Sequence, residues 1–221
     1  MDLLVLAETK LDQQCSTQKI QDKLKNWNIF NRYDSDDGSK HMGLLLLTSK
    51  KSSILDQFKS VTHLPARRGN KLQIQGLIVR LLNGMHFGFI YCRSRPNNSE
   101  IKAIKKYFDE CQFLMGDFNL SHRIQDDQMK MDDLCHETKI NFLQEITRSI
   151  SNNQLDYILI DKEFITMCFV TSYNNFISDH NSTVIRVSLN GNEFTDEIKE
   201  RLTFDRELHL KNKFAEESLS N

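Results

Sequence analysis

Short apolar segments rich in β-forming residues alternate with amphipathic segments along most of the chain. Leu3 to Ala7 predicts a buried strand, and Thr17 to Trp27 carries apolar residues at helical spacing. The same criteria predict further strands at 28–33, 42–48, 112–115, 155–160, 166–171 and 183–189, and further helices at 98–110 and around 137–150. This alternation predicts an α/β protein.

The segment LQIQGLIVRLLNGMHFGFIYCR is the clearest hairpin signal. Asn83-Gly84 separates two apolar, β-branched runs and predicts a type I′ turn, in which both turn residues have positive φ. No GxGxxG sequence follows the first strand, and strand–hairpin–strand patterns dominate the first half of the chain. The pattern therefore favours two layered sheets over a doubly wound dinucleotide fold.

The composition of the chain changes after Leu189, where charged residues become frequent. Phe194, Ile198 and Leu202 keep i,i+4 spacing among alternating charges, with an acidic excess. We expect one domain over residues 1–189, followed by a charged helical tail or linker over residues 190–221.

Composition narrows the class of protein. A hydrophobic fraction of 39% with only 2 Pro excludes a disordered chain. No apolar run approaches the roughly 20 residues of a membrane span, and the N-terminus lacks the features of a signal peptide. Five scattered Cys without a CxxC pair indicate reduced thiols in an intracellular protein. The net charge of −1 does not by itself indicate a nucleic-acid binder, but the residues before Asn190 are slightly basic, which permits a polyanionic substrate.

Polar side chains at the ends of the predicted strands are the most informative feature. Each alone is compatible with an ordinary turn or cap, since Asp, Asn and Gly are turn formers. Together, carboxylates, an Asn and a His at strand ends fit metal-assisted attack on a phosphodiester. The positions are Glu8, Asp117, Asn119, Asp156, Asp179 and His180.

These residues carry a family resemblance. The order ETK, IYCRSRPN, GDFN, LDY and SDH resembles the endonuclease/exonuclease/phosphatase superfamily over nearly all of residues 2–189. LLVLAETKL and GFIYCRSRPN are most similar to the apurinic-type endonuclease domains of non-LTR retrotransposons and related mobile elements. The resemblance implies a four-layered α/β sandwich, with two packed mixed sheets flanked by helices and the site at the mouth between the sheets. It also implies phosphodiester cleavage that depends on a divalent metal, Mg²⁺ or in its place Mn²⁺.

The resemblance assigns the metal, the attacking water and one contact with the scissile phosphate to four positions. Glu8 matches the family's metal-binding glutamate, with Asp179 nearby, and Mg²⁺ accepts one or two carboxylates plus waters. Asp117 matches the residue that orients or deprotonates the water. Asn119, two residues on along an extended chain, would hydrogen-bond the scissile phosphate.

The remaining family positions face the phosphate. His180 would hold a phosphate oxygen as charge develops, and Asp156 would fix the tautomer of its ring and favour the imidazolium form. Tyr91 matches the family's phosphate-side tyrosine, although a core aromatic in a hairpin strand is an equally good interpretation.

Basic and small polar side chains in three predicted loops, DSDDGSKH, HLPARRGNK and TSYNNF, could reach phosphates and bases. The expected contacts with nucleic acid are Arg67, Arg68, Arg95 and Asn174.

Family members begin with a strand that carries an Asn near the metal site, and we expect this first strand to be missing here, because Met1 falls in what resembles the second strand. The leading hypothesis is a DNA endonuclease that nicks strands for a mobile element, with DNA as partner, no membrane, a nuclear location and further mobile-element domains fused to it or following it. A phosphatase of the same fold and a catalytically silent relative that binds nucleic acid or a partner are the alternatives.

Overall fold

A computed structural model describes residues 3–7, 9, 11, 16–34, 42–68, 71–135, 139–141, 154–173, 180, 182–189, 192, 193 and 195. The chain divides into two compact units, Met1–Lys162 with Ser172–Ser182, and Glu163–Thr171 with Thr183–Asn221. The elements are β1 (Leu3–Ala7), α1 (Thr17–Lys23), β2 (Trp27–Tyr33), β3 (Leu44–Ser49), β4 (Phe58–Arg68), β5 (Lys71–Leu81), β6 (His86–Cys92), α2 (Asn98–Phe108), β7 (Phe113–Asp117), α3 (Gln125–Cys135), β8 (Lys139–Asn141), β9 (Asp156–Asp161), β10 (Cys168–Tyr173) and β11 (Ser182–Val187), with 3₁₀ turns at Ile54–Gln57 and Lys162–Met167.

Two sheets form the framework of the first unit. Six strands have the order β4-β5-β6-β7-β9-β8, in which β6 and β7 are parallel and the other neighbours are antiparallel. Three strands have the antiparallel order β1-β3-β2, and β3 contacts β5 of the larger sheet. The second unit contains most of the paired strands β10 and β11. The predicted α/β class with mixed sheets flanked by helices is confirmed.

The hairpin between β5 and β6 forms as predicted, but its turn differs from the expected type I′. The amide of Gly84 donates to Leu81 O at 3.1 Å, and the amide of Leu81 donates to Met85 O at 2.8 Å. Gly84 has φ +87°, whereas Asn83 does not have a positive φ. These features fit a three-residue loop in which a regular turn is followed by one left-handed glycine.

The helix α2 covers one face of the six-stranded sheet. Its N-terminus has a capping box, in which Asn97 Oδ1 accepts from the Glu100 amide and the Glu100 carboxylate accepts from the Asn97 amide. The predicted apolar stripe is buried at Ile101, Ile104 and Phe108. A hydrophobic core cluster of described residues therefore includes this helix face and the sheet face that it covers. None of the described helices has the length and apolar character needed to cross a membrane.

The helix α3 is absent from the sequence prediction, which places no element between the strand at 112–115 and the helix around 137–150. Only Met131 and Leu134 among its apolar residues are buried, so it lacks a continuous apolar stripe. Its third buried residue is Asp127, a carboxylate. Periodicity of apolar residues cannot reveal a helix that is anchored by a buried charge. The helix predicted around 137–150 is wrong at Lys139–Asn141, which form β8, and the rest of it lies outside the described residues.

Two further boundaries differ from prediction. The first helix ends at Lys23, and Trp27 opens β2 instead of closing the helix. The predicted loop HLPARRGNK belongs largely to β4, an edge strand that pairs with β5 along its length. Pro65 is compatible with this strand, because proline is disfavoured in central strands but tolerated at an edge.

Candidate functional site

A polar row crosses four adjacent strands of the six-stranded sheet. Gln75 on β5 pairs with Tyr91 on β6, Tyr91 pairs with Asp117 at the end of β7, and Asp117 pairs with Asp156 at the start of β9. Residues directly opposite each other on neighbouring strands project from the same face of a sheet. The register therefore places all four side chains on one face, opposite the face that α2 covers.

The GDFN segment turns sharply as β7 ends. The Asp117 carboxylate accepts a hydrogen bond from the Asn119 amide at 2.9 Å, and the Asn119 side chain donates to the carbonyl of Cys92 at 2.6 Å. Asn119 has φ +51°, a left-handed conformation that Asn tolerates better than most residues. Gly116, at φ +141°, has no room for a Cβ, which would clash with the carbonyl oxygen of Ile90. These local constraints fix the direction of Asp117.

His180 joins Asp117 and Asp156 in one cluster. Its Nδ1 lies 2.8 Å from Asp156 Oδ2, so the carboxylate accepts the Nδ1 hydrogen and the Nε2 atom is turned away from it. The potential ligand atoms of Asp117, Asp156 and His180 all lie within 4.8 Å of one another. One phosphate-sized group can therefore contact all three.

The other predicted site residues are only partly described. Tyr91 is buried and adjoins Asp117 in the row. Glu8, Asp179 and Asn174 lie outside the described residues. Arg67 is exposed near the end of β4, and only the backbone of Arg68 is described there.

Arg95 is tied to α3. Its guanidinium donates to the carboxylates of Asp127 and Asp126, and the pairing with Asp127 raises the pKa of Arg95. Asp127 also accepts from the amide of Ser121 at 3.0 Å. Arg95 thus connects the segment after β6 to α3, and any contact with a nucleic-acid phosphate would compete with these two carboxylates.

Cys92 does not supply a nucleophile to this site. Burial, with smaller contributions from Asp117 and Glu100, raises the pKa of its thiol well above the ordinary value. Only a thiolate is strongly nucleophilic, so the Cys92 side chain is a buried, unreactive thiol. Cys92 contacts the site through its backbone carbonyl, which accepts from Asn119.

Two polar residues near the site were not predicted from the sequence. Gln75 is fully buried in the polar row. Gln154 is buried just before β9, and its backbone amide donates to His122 Nδ1 at 3.0 Å. A Gln among apolar residues of a strand, as in LQIQGLI, was an available signal for the first. Nothing local to the sequence indicated the second.

Neither a family profile nor a curated protein matches the sequence. Solved structures do match the fold. An endonuclease/exonuclease/phosphatase family protein from Leptotrichia buccalis superposes with a TM-score of 0.59 at 17% identity, covering 85% of this chain and 87% of that chain. The chain has the fold of the endonuclease/exonuclease/phosphatase superfamily.

Two other solved structures match the fold of this chain and differ from each other in function. The endonuclease domain of TRAS1, a telomere-specific non-LTR retrotransposon, has a TM-score of 0.51 at 13% identity, over 75% of this chain and 80% of that chain. A ferrous NO complex of Cimex nitrophorin has a TM-score of 0.51 at 14% identity, over 83% of this chain and 85% of that chain. The fold therefore does not decide the activity, which depends on the residues of the site.

The site fits a hard divalent cation by its donor chemistry. Asp117 and Asp156 offer two carboxylates close together, the ligands that Mg²⁺ prefers. The Nδ1 atom of His180 is occupied by Asp156, so the imidazole is oriented by a carboxylate.

Proposed function

We propose that the chain is a divalent-metal-dependent phosphodiesterase that nicks DNA for a mobile element. The observation that carries the proposal is the cluster of Asp117, Asp156 and His180, which comes from three separate segments of the chain and converges on one sheet face. The cluster is partly exposed, and two neighbouring carboxylates repel each other, so packing alone does not account for it.

In the proposed reaction, Asp117 accepts a proton from the attacking water. The water oxygen forms a bond to phosphorus, and the bond to the leaving sugar oxygen breaks with its electron pair on that oxygen, which is then protonated from solvent. His180 donates from Nε2 to a phosphate oxygen as negative charge develops there. Asp156 accepts from Nδ1, which keeps the ring oriented and favours its charged form.

A cation would be held by Glu8 and Asp179, the positions that resemble the family's metal ligands. When bound, Mg²⁺ or Mn²⁺ supplies charge neutralisation at the phosphate. Asn119 is held by Cys92 O and the Asp117 carboxylate, so it is oriented in advance for a contact with the substrate.

DNA is proposed as the substrate because the fold is shared with the TRAS1 endonuclease domain and because the sequence motifs resemble those of mobile-element endonucleases. A nuclear location and additional mobile-element domains belong to the same proposal.

The test is nicking of supercoiled plasmid by the wild-type chain with Mg²⁺ and with EDTA. We expect relaxed circles with Mg²⁺ only. Asp117→Asn and His180→Ala should each lower the nicking rate by about 10²–10⁴-fold, because each removes a group that acts in the transition state.

DNA binding by these variants and their circular dichroism spectra should match wild type. Nicking that persists in EDTA would contradict the metal dependence. A folded wild-type chain that binds DNA without nicking would favour the silent relative, and hydrolysis of a phosphate monoester without nicking would favour the phosphatase.

A further inference from the structure

Gln75 is a buried amide whose hydrogen-bonding groups all reach across to the other sheet. Gln75 is 0% exposed and lies on β5 among the buried residues Ile74, Leu77 and Ile78. Its Oε1 accepts from the Gly43 amide at 2.6 Å, and its Nε2 donates to the carbonyls of Tyr33 and Asp34 at 3.3 and 3.1 Å. A buried amide is stable only when its polar atoms are satisfied, so these contacts are a strong constraint on the backbone that makes them.

The partners of Gln75 are the two ends of the connection between β2 and β3. Tyr33 and Asp34 lie where β2 ends, and Gly43 lies just before β3 begins. One side chain therefore holds together the points at which the chain leaves and re-enters the three-stranded sheet.

Gly43 passes the same constraint to the end of β1. The Thr9 amide donates to Gly43 O at 3.3 Å, and Ala7 pairs with Leu44 in the sheet. Glu8, the predicted metal ligand, lies in the sequence between these two anchored residues. The amide of Gln75 is thus linked by hydrogen bonds to the backbone on one side of the predicted ligand.

Gln75 itself belongs to the polar row that contains Asp117. Gln75 pairs directly with Tyr91, which pairs with Asp117. Side chains on the six-stranded sheet are positioned by the hydrogen bonds between its own strands. The residues that flank the smaller sheet's strands, Asp34, Gly43 and Thr9, are not part of that hydrogen-bond pattern, so a separate contact must position them.

We propose that Gln75 is a positioning residue that sets the end of β1, the end of β2 and the start of β3 in the smaller sheet against the Asp117 row. The proposal rests on the proposed function, because it concerns metal and substrate binding at that same site. It predicts a specific kinetic signature: loss of Gln75 should weaken binding of cation and DNA more than it slows the chemical step, since Asp117, Asp156 and His180 stay on their own strands.

The test compares Gln75→Met with wild type in plasmid nicking across a Mg²⁺ titration. Met preserves the length and most of the volume of the side chain but none of its hydrogen bonds. We expect the half-saturating Mg²⁺ concentration and the KM for DNA to rise by about tenfold or more, as displacement by an ångström can cost up to a hundredfold, while kcat falls less than about threefold.

Gln112→Met is the matched control. The Gln112 side chain also accepts from a backbone amide, that of His86, but at the opposite end of β6 and β7. Both variants lose hydrogen bonds from the same sheet, so a merely structural role predicts the same kinetics for both at a temperature where both are folded. We expect unchanged Mg²⁺ dependence for Gln112→Met.

If Gln75→Met does not fold, Gln75→Asn retains the amide but is one methylene too short to span its partners, and the same shift is expected. Hydrogen exchange of the Gly43 and Thr9 amides should accelerate in the Gln75 variant and not in the control. Wild-type kinetics in a folded Gln75 variant would overturn the positioning role. A wild-type chain without metal-dependent nicking would overturn the proposed function instead.

Discussion

At the scale of single residues, Asp127 is the buried charge on which the loop after β7 depends. Its side chain is 1% exposed, accepts from the Ser121 amide and pairs with Arg95. Asp127→Ala removes the acceptor from a buried amide, so we expect a loss of about 1–3 kcal/mol in the free energy of unfolding. Urea denaturation of variant and wild type measures this difference.

Asp126→Ala is the matched control, because Asp126 pairs with the same guanidinium but is 60% exposed. Exposed ion pairs contribute little to stability, so its denaturation midpoint should stay near that of wild type. Equal losses in the two variants would show that the Arg95 pairing, and not the buried carboxylate, carries the effect.

At the scale of elements, the basic end of β4 carries two of the predicted contacts with nucleic acid, Arg67 and Arg68. Arg67 is exposed on the edge strand β4. It pairs with Leu72, three residues before Gln75 on β5. If Arg67 and Arg68 contact phosphates, replacing both by Ala should reduce the slope of log K against log[salt] by up to about two. Fluorescence anisotropy across a salt series measures the slope.

Lys102→Ala with Lys106→Ala removes the same charge from the exposed side of α2, whose other side covers the face opposite the Asp117 row. This double variant should keep the wild-type slope. Identical slopes in both double variants would mean that the β4 arginines act only through net charge.

At the scale of the whole molecule, cation binding should be coupled to folding. A ligand that binds only the folded state stabilises it by about 2.7 kcal/mol at a hundred times its dissociation constant. We expect Mg²⁺ to raise the melting temperature of wild type, EDTA to reverse the rise, and Glu8→Gln, which alters the predicted metal ligand, to reduce it. Sodium chloride at matched ionic strength is the control, and an equal shift with that salt would contradict a specific site.

The sequence by itself determined the parts of this protein that depend on local pattern. Local periodicity predicted three features: the hairpin of β5 and β6, the strand β9, and the apolar stripe of α2. Strands and helices repeat their apolar residues every 2 and 3.6 residues, so a few consecutive residues reveal them. The polar residues at strand ends were recognisable for the same reason, together with the order of motifs that led to the superfamily fold.

The tertiary structure decided what depends on partners far away in the chain. The α3 helix was missed because it is anchored by the carboxylate of Asp127 on Ser121 and Arg95 rather than by an apolar face. The loop geometry at Asn83 was decided by the ladder of the two strands that it joins. The pairing of His180 with Asp156 and the reach of Gln75 to Gly43 join residues 24 and 32 positions apart. Local preferences act over a few residues, whereas sheet register brings distant residues into contact, and the candidate site exists only where that register aligns them.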